Sequence, residues 1–338
     1  VPRTLVDTAG RHARTTLFGA PLALPIIVGP TGLNGMIRPR GDVLLARAAH
    51  AAGVPFCLST VANARAAECT SDGGRLWMQL YVFKDPAITR DVVERADAAG
   101  CEALVFTTDA NVFGAREWDQ RSFRAPGRPT LRSTIDTLLH PRWLAGYLAT
   151  GFPRFVNVAE FFPPEARSAR AGVTILPKLF APTISWDDVA RLRDRWRRRL
   201  LVKGVLAAED AERAHRLGCD GIVLTNHGGR QLDTCVAPLE VLPEVARAFG
   251  DKLAIIIDSG FRRGSDLAKA IALGAHAVII GRAALYGLAA GGEAGVARAI
   301  EILGTELDRV LGQLGCRSLA ELSPALLRRG APTLPTER

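Results

Sequence analysis

The sequence predicts an α/β chain folded as a single (β/α)8 (TIM) barrel, with a long basic, aromatic-rich insertion after the fourth strand. Three observations carry this. Short apolar runs rich in Val, Ile and Leu recur along the 338 residues, most of them followed by a segment of helical period. There are eight runs, the number at which parallel β/α units close into a barrel. No GxGxxG follows the first run, and that fingerprint would have favoured an open, doubly wound sheet.

In chain order, the runs occupy residues 25–28, 54–59, 76–82, 103–107, 200–202, 221–225, 253–257 and 277–280. Between them, residues 42–52, 86–99, 208–217, 239–248 and 265–273 are rich in Ala, Leu, Arg and Glu and are predicted as helices. Gly53, Gly100, Gly218, Gly250 and Gly274 stand where these helices should stop, as glycine favours a helix C-terminus. A last helix is predicted at 293–314, followed by a tail. Runs are spaced by about 20–30 residues, except that nearly a hundred separate the fourth from the fifth. In that gap only 186–196 reads as a clear helix. Residues 116–181 form an insertion at a strand C-terminus, the end where barrels build active-site loops. The whole of 1–338 is read as one domain.

Composition narrows the class. No apolar run reaches the ~18 residues needed to cross a bilayer, and the most apolar stretch, 277–290, is broken by Arg282. The opening VPRTLVDTAGRHARTTL lacks the apolar core of a secretory signal. It starts without methionine, which leaves open whether native residues precede it. Cys57, Cys69, Cys101, Cys219, Cys235 and Cys316 form no CxxC pair and read as reduced thiols of a cytosolic protein. The six histidines have no metal-ligand spacing, so no metal is expected. Net charge is +9, and residues 111–199 alone hold 16 Lys and Arg against 8 Asp and Glu. The same stretch holds 12 of the 21 aromatics, among them Trp118, Trp143, Phe161, Phe162, Trp186 and Trp196. Basic residues mixed with aromatics suit a membrane surface. No recognition fold accompanies the charge, so nucleic acid is not an expected partner.

The strand ends carry the chemistry. After the seventh and eighth runs, where barrels commonly bind phosphate, stand IDSGFRRG with Asp258, Gly260 and Arg262, and IGR with Gly281 and Arg282. The glycines let backbone N–H groups approach an anion, and the arginines add charge-assisted bonds. Lys203, in LVKG, calls for an anionic or electron-rich partner, through a Schiff base or by countering negative charge on a cofactor. TNHGGRQLD sets His227 three residues before Arg230, with two glycines between. The histidine can take a proton near neutral pH and the arginine can grip a carboxylate. Asp109 can orient the imidazole, and Arg116 offers a second carboxylate contact. These residues ask for a phosphate-bearing cofactor, a base and a carboxylate substrate, with an electron sink such as a flavin beside them.

The chain resembles the FMN-dependent L-2-hydroxy-acid oxidase/dehydrogenase family through QLYV, LVKG, NHGGRQLD, DSGFRRGSD and IGRAALYGLAAGGEAGV. GPTGLNG, LHPRW, ALYGLAA and LSP resemble its (S)-mandelate dehydrogenase branch. The resemblance implies His227 as base with Asp109 as its partner, Arg230 and Arg116 on the substrate carboxylate, and Tyr81 at the substrate hydroxyl. It implies Lys203 at the N1/O2 edge of FMN, and Ser59, Gln79, Thr107 and Thr225 at the flavin ring. Backbone contacts to the flavin are implied from Pro30, Thr31 and Gly32, with Gly32 also at the substrate. Asp258 falls to the ribityl chain, and Gly260, Arg262, Gly281 and Arg282 to the phosphate. Val61 replaces a tryptophan of glycolate-type relatives and should widen the pocket toward an aryl side chain, with Phe113 lining it. The family's N-terminal helical segment, which supplies an active-site tyrosine, does not precede VPRTLVD here. By the same resemblance the enzyme is a homotetramer that oxidises a 2-hydroxy acid to a 2-oxo acid. The resemblance further implies that its insertion would attach it peripherally to the cytoplasmic side of the inner membrane, with a quinone-type acceptor. The alternative is a soluble oxidase that passes electrons to O2 and makes H2O2.

Overall fold

In the computed structural model of the chain, residues 1–114, 116–125, 128–167 and 169–328 are described. Eight parallel strands close a barrel in which chain neighbours are spatial neighbours. They are β1 Ile26–Val28, β2 Phe56–Leu58, β3 Leu76–Leu80, β4 Ala103–Thr107, β5 Arg199–Val205, β6 Gly221–Leu224, β7 Ala254–Ile257 and β8 Ala277–Ile280. Closure runs through β8 onto β1, with Ile279 opposite Ile27. Across the long gap, β4 and β5 pair from Ala103↔Arg199 to Thr107↔Lys203.

The pleat divides each strand between two cores. Ile27, Cys57, Trp77, Val105, Leu201, Val223, Ile256 and Ile279 belong to the cluster inside the barrel. Their neighbours Phe56, Leu58, Met78, Leu104, Val202, Ile222, Ile255 and Val278 belong to the outer layer between strands and helices, as alternation along a strand requires. A hairpin of Thr15–Leu17 and Ala20–Leu22, which the sequence pattern does not reveal, adds Leu17 and Leu22 to the inner cluster.

Two expectations need correction. The gap between β4 and β5 contains more than its one predicted helix: within the insertion, Glu117–Ser122, Leu131–Leu138, Pro141–Thr150 and Ala169–Leu179 are also helical. These are short and carry Thr, Gly and an internal Pro177, so intrinsic propensity does not announce them. Docking holds part of this region. Trp143 Nε1 donates to Met36 O (3.0 Å), Tyr147 OH donates to Gly35 O, and Asn63 Nδ2 donates to Arg154 O (2.8 Å). The helix Leu131–Leu138 buries no residue. Leu131, Leu138, Leu139, Leu148 and Phe152 are all more than half exposed. The side chain of Trp118 lies outside the described residues. The last helix, in turn, begins at Arg282 rather than 293 and runs to Leu314, kinked at Gly292 (φ 62°). The Gly-Gly kink interrupts the helical period and hides the first turns behind the apolar run of β8.

Candidate active site

Two residues beyond each inward apolar residue of the barrel stand Gly29, Ser59, Gln79, Thr107, Lys203, Thr225, Asp258 and Gly281. The pleat that points the core inward therefore points a polar or side-chain-free ring into the barrel mouth. Ser59, Gln79, Thr107, Lys203 and Thr225 are each under 5% exposed. Gln79 is pinned from both sides. Its Oε1 accepts from Ser59 Oγ (3.1 Å) and Thr60 N (3.2 Å), and its Nε2 donates to Thr107 Oγ1 (3.0 Å).

Lys203 sits within β5 rather than beyond its end, just before a β-bulge at Gly204 (φ 112°). A Cβ at Gly204 would lie 2.2 Å from Thr108 Oγ1, so the bulge needs glycine in both conformation and space. The ammonium lies 3.4 Å from Asp258 Oδ2, 4.0 Å from Asp109 Oδ2 and 3.4 Å from Thr225 Oγ1. Burial alone would lower the Lys203 pKa, but the charges of Asp258 and Asp109 outweigh it and raise it, so the group stays charged.

His227 follows Thr225 into the mouth on a backbone with three consecutive positive φ angles: His227 57°, Gly228 70° and Gly229 71°. For a histidine that conformation is strained and needs support. Its own N–H donates to Thr225 Oγ1 at 2.8 Å, and Gly228 N donates to Ser259 Oγ at 3.1 Å. The ring's Nδ1 meets Asp109 Oδ1 at 2.9 Å. With Nδ1–H as donor, Nε2 is left as the acceptor that faces chemistry. Burial would raise the Asp109 carboxyl, but Lys203 and His227 together hold it below the usual carboxylate range. Its other oxygen, Oδ2, accepts no hydrogen bond among the described residues.

The two arginines meet at the same mouth. Arg116 Nε donates to Arg230 O at 3.5 Å, and its Nη2 donates to Gln231 Oε1 at 3.3 Å. Gln231 Nε2 in turn donates to Asp109 O (2.9 Å). Tyr81 lies within the electrostatic reach of Lys203, Asp109, Arg116 and Arg230, and burial pushes its phenol up to about 12. Phe113 is partly exposed, stacked 5.7 Å from Phe180. Val61 lies over Gly32, where a Cβ would come within 2.5 Å of Val61 Cγ2.

After β7 and β8, Gly260 borders open space and Gly281 has Thr31 Cγ2 nearby, 3.7 Å from an added Cβ. Arg282 covers Gly228, with Nη2 2.9 Å from where a Cβ would stand, and opens the helix Arg282–Leu314. Arg262 is exposed just before the helix Gly264–Ala272. Two helix N-termini, two glycines and two arginines thus border one side of the mouth, a cradle with the chemistry of a phosphate site. With the buried cation and the polar ring, the donor set fits a phosphorylated, electron-rich ring cofactor. Pro30 lies on the loop after β1, between Gly29 and Thr31. No cluster of three or more His, Cys, Asp or Glu is placed to hold a metal among the described residues.

Ser259 and Gln231 also take part in the site, with no role predicted for them, although both stand in the motifs DSGFRRGSD and NHGGRQLD. Ser259 (φ 88°) donates to Asp258 Oδ1 at 2.7 Å and accepts from Asn226 N at 3.2 Å. It ties β7 to the His227 turn, and a small hydroxyl beside a turn glycine was the available clue.

Residues 1–329 match the family model described as FMN-dependent dehydrogenase. The chain belongs to the FMN-dependent dehydrogenase family. FMN is its cofactor, and it is an oxidoreductase. It is 42% identical over 337 residues to (S)-mandelate dehydrogenase of Pseudomonas putida, covering 98% of this chain and 84% of that protein. It is 41% identical over 336 residues to an L-lactate dehydrogenase of Caulobacter vibrioides, covering 98% and 86%. The crystal structure of the monotopic membrane protein (S)-mandelate dehydrogenase superposes with a TM-score of 0.91 at 42% identity, over 97% of this chain and 87% of that one. A mandelate oxidase bound to (S)-2-phenylpropionate superposes with a TM-score of 0.75 at 35% identity, over 95% and 83%. For this FMN-dependent dehydrogenase no described helix is long and apolar enough to cross a membrane.

Proposed function

We propose that this enzyme oxidises an L-2-hydroxy acid with an aryl side chain, (S)-mandelate or a close analogue, to the 2-oxo acid. The observation that carries the reading is the His227–Asp109 pair, 2.9 Å apart, beside two arginines and a buried lysine at one barrel mouth. His227 Nε2 accepts a substrate proton, and Asp109 stabilises the imidazolium that results. Arg230 and Arg116 hold the substrate carboxylate, as guanidinium forks do. Tyr81 keeps its proton at working pH, since burial pushes its phenol to about 12, and donates to the substrate hydroxyl. Gly32 and Phe113 border the substrate.

FMN, when bound, supplies the two-electron acceptor. Lys203 would hold its N1/O2 edge and counter the negative charge that arrives there. Ser59, Gln79, Thr107 and Thr225 would take the ring, with the backbone of Pro30, Thr31 and Gly32. Asp258 would take the ribityl chain, and Gly260, Arg262, Gly281 and Arg282 the phosphate. An anaerobic visible spectrum before and after (S)-mandelate tests the reading. Bleaching of the flavin band is expected. A band that persists with every 2-hydroxy acid tried would overturn it.

The insertion supports a second part of the proposal: peripheral attachment to the cytoplasmic face of the inner membrane, with a quinone-type acceptor and a homotetrameric assembly. Its exposed Leu131, Leu138, Leu139, Leu148 and Phe152 stand among basic residues, the mixture that binds anionic bilayers. Flotation with vesicles containing anionic lipid is expected, and should weaken when Leu138 and Leu139 become serine. Protein that stays unbound at low salt would refute attachment. Likeness to a mandelate oxidase favours one alternative, a soluble 2-hydroxy-acid oxidase of the lactate, glycolate or 4-hydroxymandelate type, which hydrogen peroxide formed under air would reveal.

A further inference from the structure

Phe180 ends the insertion and is 5% exposed. It forms an isolated antiparallel bridge with Phe83, flanked by Lys84 N to Leu179 O (2.8 Å) and Ala181 N to Val82 O (2.9 Å). The insertion's return is thereby sewn to the segment that leaves β3. The ring meets three others: Tyr81 at 5.0 Å, Phe83 at 5.2 Å and Phe113 at 5.7 Å, the last nearly parallel at 22°. Tyr81 and Phe113 come from different strand ends, and Phe180 is the ring that contacts both. Behind it, Val82, Phe83, Ala181 and Pro182 line a cleft of about 960 Å³ between the helices Pro86–Ala98 and Trp186–Arg195, outside the barrel wall. None of the residues assigned to chemistry lines that cleft. Phe180 does not itself line the cleft: its ring meets Tyr81 and Phe113 on the substrate side and Phe83, which does line the cleft, on the other.

We propose that Phe180 is a specificity-determining residue: its ring forms the back wall of the pocket for the substrate's side chain, positions Tyr81 and Phe113, and keeps that pocket closed to the lateral cleft. A ring wall supported on two sides favours a flat, single-ring substituent. Removing it both loosens Phe113 and opens space behind Tyr81. The inference rests on the proposed substrate site around Tyr81, His227 and Arg230.

The test compares wild type, Phe180→Leu and Phe180→Ala on L-lactate, (S)-mandelate and a 2-hydroxy acid bearing a naphthyl group, with flavin content read from the visible spectrum. For Phe180→Ala, kcat/KM for mandelate relative to the naphthyl substrate is expected to fall by roughly ten- to a hundredfold, the discrimination that an apolar pocket achieves. The change should lie mainly in KM, with Phe180→Leu intermediate. Equal losses on all three substrates, or unchanged ratios with flavin retained, would show a packing residue and overturn the proposal. If wild type reduces its flavin with none of the three, the substrate site itself has been misread, and that failure is distinct from unchanged ratios in an active enzyme.

Discussion

Replacing His227 with alanine is expected to leave FMN bound and to slow its reduction by a 2-hydroxy acid by a factor on the order of 10⁴, the upper end for a positioned general base. The large value follows from the surroundings. Nδ1 is committed to Asp109 at 2.9 Å, and the backbone is held at φ 57° by bonds to Thr225 and Ser259. The structure thus spends conformational strain to aim a single nitrogen. Asp109→Asn should slow reduction as well, by less, because the ring stays in place while the charge that stabilises the imidazolium is lost. Anaerobic stopped-flow in the visible band of the oxidised flavin reads both rates. An unchanged rate for His227→Ala would remove it from the mechanism. Asp109 also has a pH signature. Its folded pKa is depressed, so its contribution to stability is present above the unfolded value near ~4. That contribution is lost as pH falls through the folded value.

Lys203→Met is expected to reduce stability by about 3–5 kcal/mol and to lower flavin content, because removing one partner of a buried ion cluster strands the others. Asp258 and Asp109 lie 3.4 and 4.0 Å from the ammonium, with side chains only 14% and 16% exposed. Methionine fills the space but leaves two carboxylates with no cation between them. Adding Asp258→Asn should recover part of the loss, as coupled neighbours do in a double-mutant cycle. Urea unfolding midpoints with bound flavin measured in parallel decide the matter. A Lys203→Met protein as stable and as yellow as wild type would show that the ammonium is not the counter-charge of this site.

The barrel was legible because its strands are short apolar runs and its helices carry a 3.6-residue period, two signals that survive without any partner. The motifs at the strand ends were legible for a related reason: Lys203, His227 and Asp258 are polar residues where a core would otherwise continue. What stayed hidden depends on docking. The hairpin of Thr15–Leu17 and Ala20–Leu22 is a strand pair of three residues each, below any periodic signal. The insertion's helices gain order from contacts such as Trp143 to Met36 rather than from propensity. Ser259 and Gln231 act by bridging loops that are distant in sequence, so their partners cannot be read from one segment.

The two-residue step from inward core to polar mouth ties the evolution of the site to that of the fold. A single residue inserted or deleted within a barrel strand ahead of these positions would turn Lys203 or Gln79 toward the helices, and would turn outer apolar residues such as Val202 or Met78 toward the mouth. Core and chemistry would be lost in the same event. Length changes are therefore tolerable only after these positions, as at the Gly204 bulge, in the connecting loops and above all between β4 and β5. Lineages built on this scaffold can lengthen, shorten or recharge that stretch while the ring of eight positions inside the barrel keeps its phase.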